Sequence, residues 1–132
     1  MSYSSAQDII DLFGEDVLAK LTKSPQADEE KIADAVEYAD SIINTALQGR
    51  VNLPEEYVPK IISVISARLA YISLCESYYH LSDIPNTALR LKRDCMKLLY
   101  DLADGRINLI GNKYSNVIIT RIKRIGDNHE YP

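Results

Sequence analysis

From Ile32 to Leu47, the apolar residues Ile32, Ala35, Val36, Ala39, Ile42, Ile43, Ala46 and Leu47 recur in steps of three and four. That is the period of an amphipathic α-helix. Asp28 opens it, with Glu29 and Glu30 in the first turn, where acidic groups suit the helix dipole. Gly49 is a natural C-terminal stop and Pro54 prevents resumption. The helix so predicted is about 30 Å long. The pattern puts Asp34, Glu37 and Asp40 on its solvated side.

Weaker versions of the same pattern flank this element. Ser4 or Ser5 can cap a short helix running to Phe13, with Ile9, Ile10, Leu12 and Phe13 as its apolar side. Gly14 ends it, Glu15 to Leu21 reads as a second short helix, and Ser24-Pro25 is a break. Pro59 suits the first turn of the next helix. There Ile61, Ile62, Val64, Ile65, Leu69, Ala70, Ile72 and Leu74 occupy more than one face. Such a helix is covered by several neighbours and predicts the centre of a bundle. Tyr78, Tyr79 and His80 finish it, and Asp83 to Asn86 connects onward. A last helix is expected from about Thr87 to Ala103, with the stripe Ala88, Leu91, Cys95, Leu98, Leu99 and Leu102, before Asp104-Gly105.

Beyond Gly111 the pattern changes. Val117 to Ile125 holds six β-branched residues in nine, which favours a strand. Ile118, Ile122 and Ile125 would also line one face of a helix. The expectation is an extended or β-prone arm over residues 112–132. The fold class predicted is all-α, a compact bundle of four to five helices over residues 1–111, followed by that arm.

Composition changes this picture little. The chain's 132 residues suit one domain with a single modest core, and 46% hydrophobic with 26% charged residues is ordinary for a globular protein. The start is polar, with no apolar run of the signal-peptide kind. Ile61 to Cys75 is the most apolar stretch, but Arg68 and several serines interrupt it, so a core helix is expected rather than a membrane span. Cys75 and Cys95, far apart and without nearby histidines, read as small core hydrophobes.

Charge is more informative. Residues 1–59 hold 12 acidic and 4 basic side chains, a net of −8, whereas residues 60–132 hold 7 acidic and 11 basic, a net of +4. These are two solvated faces, or the complementary halves of a head-to-tail self-association. Overall acidity argues against sequence-independent DNA binding, which needs a broad basic surface.

Candidate chemistry is sparse. There is no Gly-rich phosphate loop, HExxH, GxSxG or spaced Cys/His set. His80 and His129 are isolated. No catalytic, cofactor-binding or metal-binding residue is assigned, and no enzyme is expected. Nine tyrosines against one phenylalanine is a skewed ratio; Tyr38, Tyr57, Tyr71, Tyr78, Tyr79 and Tyr100 are expected at the core edge. Two segments share one form. Gly49-Arg50-Val51-Asn52-Leu53 and Gly105-Arg106-Ile107-Asn108-Leu109 are each a helix stop, an arginine and a short apolar exit, which suggests comparable ends of adjacent helices. Arg50 either bonds its own helix's last carbonyls or reaches a partner.

Together these pieces resemble the small head–tail connector (neck adaptor) proteins of Mu-like tailed phages and prophages. The resemblance rests on Tyr3 with Asp8 to Gly14 and Leu18 to Thr22, and on Ala35, Ala39-Asp40, Ile43 and Leu47 leading to Gly49 to Pro54. It also takes in the apolar helix ending near Tyr79, and Leu98 to Ala103 followed by Gly105-Arg106 and Asn108-Leu109. It covers about residues 3–111. Val51 is a departure, an aromatic being expected there.

The resemblance implies a helical subunit that assembles as a ring under the capsid's portal protein. The ring extends the DNA channel and docks a tail or stopper protein, with no cofactor and no membrane. The implied place is the virion neck, and the host cytoplasm during assembly. Whether the chain is monomeric before it meets a portal is left open. Candidate contact residues are Arg50, Asn52, Leu53 and Arg106 in the exits, and Ile118, Ile119, Arg121, Ile122, Lys123 and Arg124 in the arm. Two other classes compete: a small helical regulatory module that binds another protein, and a nucleic-acid binder using Arg90, Lys92, Arg93 and the basic arm.

Overall fold

A computed structural model describes residues 2–53 and 56–107. Among them are five α-helices: α1 (Ala6–Phe13), α2 (Glu15–Leu21), α3 (Glu29–Leu47), α4 (Lys60–Tyr78) and α5 (Asn86–Ala103). A short 3-10 turn, Leu81–Asp83, lies between α4 and α5. The expected helical bundle is therefore present, and none of the described residues forms a strand. The predicted arm, residues 112–132, lies outside the described residues.

Local chemistry sets the helix starts. Ser5 caps α1 in a reciprocal box: its hydroxyl accepts from the Asp8 N–H, and the Asp8 carboxylate accepts from the Ser5 N–H. Asp28 caps α3 by accepting from the N–H groups of Glu30 and Lys31. Helix α5 begins one residue earlier than predicted, at Asn86. Helix α4 stops at Tyr78, short of the expected Tyr79 and His80, because Tyr79 turns to extended backbone.

Helices α3 and α4 form the central antiparallel pair, and α4 is the core helix that its apolar faces predict. By length and composition it could cross a membrane, yet Ile61, Ile62, Ile65, Leu69, Ala70, Ile72 and Leu74 are all buried against the other helices. Helix α5 packs on both α3 and α4, through buried Ala88, Cys95, Leu99 and Leu102. The α1–α2 pair also packs on the central pair: α1 touches α3 and α4, and α2 touches α4. Ile9 and Leu18 are its anchors, both fully buried.

Asp40 departs from the expectation. It is 8% exposed rather than solvated. The chain's first residues account for this. The Tyr3 N–H donates to one Asp40 oxygen at 3.0 Å, and the Ser66 hydroxyl from α4 donates to the other at 2.7 Å. Ser66 also meets the Ser4 hydroxyl at 2.7 Å. The Tyr3 hydroxyl reaches the Asn44 side chain. Residues 3 and 4 thus fasten onto α3 and α4 through a buried polar relay, so the N-terminal segment takes over a stretch of α3 that faces solvent when that helix is considered alone.

The tyrosines divide. Tyr71, Tyr78 and Tyr79 sit half-buried at the core edge as expected, whereas Tyr38 and Tyr100 are 55% and 56% exposed. Tyr71 stacks on Phe13, ring centroids 4.0 Å apart and planes within 8°. Burial, then a hydrogen bond with the Cys75 sulfur, push its hydroxyl from 10.0 up to about 12. An acid whose folded pKa is raised stabilises the fold fully below its unfolded value, and the contribution disappears as pH climbs through the folded one. Stability should therefore decline between pH 10 and about 12 through this residue. Tyr71→Phe should flatten that decline in chemical-denaturation curves taken across the interval.

Candidate functional site

The two glycine–arginine exits lie together at one end of the bundle. Helices α3 and α5 run the same way, each antiparallel to α4, so both C-termini arrive at this end. Gly49 and Gly105 hold φ values of 72° and 78° just past the helix ends. Side chains bearing a Cβ are disfavoured there, which explains the glycine that opens each exit. The backbone then closes each helix. The N–H groups of Arg50 and Val51 donate to the Leu47 carbonyl at 3.0 and 3.1 Å, and that of Arg106 to the Asp101 carbonyl at 2.9 Å.

With the carbonyl of Leu47 satisfied by backbone, the Arg50 guanidinium is directed elsewhere. It donates to Asp104 at the end of α5, at 3.2 Å, with both side chains half exposed. Arg50 is thus a tie between the two exits. Arg106 is 74% exposed and lies 3.9 Å from the Asp101 carboxylate, an ion pair too long for a hydrogen bond. Asn52 is exposed, whereas Val51, Leu53 and Ile107 are half-buried against the core. Leu53 therefore serves its own fold as well as lining the surface. Of the predicted contact residues, Arg50, Asn52, Leu53 and Arg106 come together at this end. Ile118, Ile119, Arg121, Ile122, Lys123 and Arg124 lie outside the described residues.

Two open grooves border the exits. One, between α3 and α5, is lined by Ser41, Ile42, Thr45, Ala46, Gln48, Arg50, Met96 and Tyr100. The other joins Asn52 and Leu53 to Tyr3, Asn44 and Gln48. The contribution of Tyr3 and Tyr100 to this end went unnoticed in the sequence. The sequence marks Tyr3 only through the family resemblance and Tyr100 only as a core-edge tyrosine. Exposed ion pairs add little stability. Arg50→Ala should accordingly shift the denaturation midpoint by less than about 1 kcal/mol equivalent. A larger loss would make the exits part of the fold's foundation rather than a presented surface.

The described residues include no group of three His, Cys, Asp or Glu side chains placed to hold a metal ion. Cys75 and Cys95 are buried and unpaired, and burial pushes both thiols up, Cys95 to about 11. They stay protonated at neutral pH, and the thiolate is the reactive form. What this end offers is a rimmed surface of arginine, amide and tyrosine groups over an apolar base, suited to contact with another macromolecule.

The family described as Bacteriophage Mu, Gp36 matches residues 3–118. The chain belongs to that family. The match takes in every described helix and both exits of this Gp36-family protein, and it ends inside the predicted arm. It supports the resemblance to Mu-like phage proteins at the level of the family. No curated protein matches the chain.

Proposed function

We propose that this Gp36-family protein is a structural component of a tailed phage or prophage: a head–tail connector that assembles as a ring under the portal and joins capsid to tail around the DNA channel. The observation that carries this reading is the family match across nearly the whole helical bundle, and the site described above agrees with it in kind. The exits at one end are a docking surface for the portal or for a tail or stopper protein, through Arg50, Asn52 and Arg106. The arm, with apolar Ile118, Ile119 and Ile122 and basic Arg121, Lys123 and Arg124, supplies a second contact to a neighbour. The protein's place is then the virion neck, reached from the host cytoplasm during assembly.

A phage lacking this chain decides the matter by electron microscopy of the lysate. DNA-filled heads beside separate, complete tails are the expected result. Joined virions in normal number would sink the reading, and so would a block before DNA packaging.

A further inference from the structure

We infer that the α1–α2 face and the α5 face are the two sides of a head-to-tail contact between copies of this chain, acidic on one side and basic on the other. This rests on the ring reading above and names the surface that would build the ring. The faces lie on opposite sides of the α3–α4 layer. Tyr3 is bonded to Asp40 and Asn44 on one side of α3, whereas Met96 and Tyr100 flank Ile42 and Ala46. Two residues along a helix is roughly 200° of rotation, so Asp40 and Ile42 point away from each other.

The charges segregate with the faces. In α1 and α2 the exposed carboxylates Asp8, Asp11, Glu15 and Asp16 are set against one basic residue, Lys20, whose ammonium lies over the Tyr78 and Tyr79 rings at the end far from the exits. From Arg90 to Lys97 there are four basic residues and one acidic. Lys92 is taken by Glu76 and Arg93 touches Asp94, but Arg90 and Lys97 have no carboxylate in ion-pair reach among the described residues. Crowding like charges on one face is unfavourable in an isolated subunit and is relieved when an opposite face covers it. Each face also exposes an apolar side chain beside its charges: Leu12, 59% exposed, on one, and Leu89, 47% exposed, on the other. Exposed apolar groups among complementary charges suit a protein–protein contact. Because the two faces differ, a pair of copies always leaves one acidic and one basic face open, so association continues beyond a pair, into a ring when the rotation between copies closes. The exits, at the end of the helices, are left free to dock above or below such a ring.

Two full-length variants test this. In one, Arg90→Glu, Arg93→Glu and Lys97→Glu make both faces acidic. In the other, Gln7→Lys, Asp11→Lys and Asp16→Lys make the α1–α2 face basic like α5 while sparing Asp8 and Glu15, which bond the backbone. Light scattering and cross-linking at high concentration and low salt should show the native chain associating. Each variant alone should lose at least about tenfold in association, with its helical circular dichroism intact. The two variants mixed should associate again, since every contact then pairs opposite signs. A native chain that stays monomeric, unaltered association in either variant, or a mixture that stays apart would each overturn the contact. So would charge-dependent binding of the native chain to duplex DNA without self-association, which would assign the α5 face to nucleic acid. The particle phenotype separates the two ideas. Unjoined heads and tails with no charge effect sink this contact alone, and charge-dependent association in a chain whose loss leaves virions complete sinks the connector reading alone.

Discussion

Replacing Asp40 with alanine should lower the unfolding free energy by about 3 kcal/mol, while asparagine at the same position should cost about 1 kcal/mol or less. The alanine leaves the Tyr3 N–H and the Ser66 hydroxyl without the acceptors that now lie 3.0 and 2.7 Å away. Ser66 is fully buried, so water cannot replace what is lost. Asparagine preserves the relay because hydroxyls can reverse. Its oxygen still accepts from Tyr3, its amide donates to Ser66, and Ser66 turns to donate to Ser4. Urea denaturation of the three proteins measures the difference. Equal losses for alanine and asparagine would mean that the negative charge matters rather than the pattern of donors and acceptors. The alanine variant should also be cleaved faster by protease within its first residues, since the relay is what holds Tyr3 and Ser4 to the bundle.

The second large effect is expected at a neighbouring pair on α5. Leu99 has no exposure, whereas Tyr100, one residue on, is more than half exposed. Leu99→Ala should destabilise the fold by about 3 kcal/mol, through lost apolar burial and the cavity left where α5 meets the central pair. Tyr100→Ala should stay within about 0.5 kcal/mol. The pair isolates burial from position, because both residues lie in the same turn of the same helix. If Tyr100→Ala proves the costlier change, the ring is covered by something the described residues do not include.

Helix positions were legible because periodicity and punctuation agree. Asp28, Gly49, Pro59 and Gly105 each stand at a boundary for a local chemical reason, and local reasons are visible in a sequence. The exits were legible for the same cause: the repeated Gly-Arg form anticipated two adjacent helix ends, and the Arg50–Asp104 pair joins them. Asp40 was misplaced because its burial depends on partners 37 and 26 residues away, which no single-helix pattern records. Arg50 was undecidable between its own carbonyls and a partner, since the outcome depended on where α5 ended. Tyr38 and Tyr100 fall on faces that one chain leaves open.

The odd number of long helices has a practical side. The polypeptide traverses the bundle's length with α3, returns with α4 and traverses again with α5, so residue 107 emerges beside the exit that follows α3. Tyr3 borders that exit too, through its groove with Asn52 and Leu53. An affinity tag or fluorescent protein fused ahead of Ser2 would therefore start next to the surface assigned to docking. The far end, where the ammonium groups of Lys20 and Lys23 lie within 6 Å of the Tyr78 ring, is the better site for a label. A dye on a cysteine introduced at exposed Ser82, in the turn at that end, would report on assembly without standing in its way.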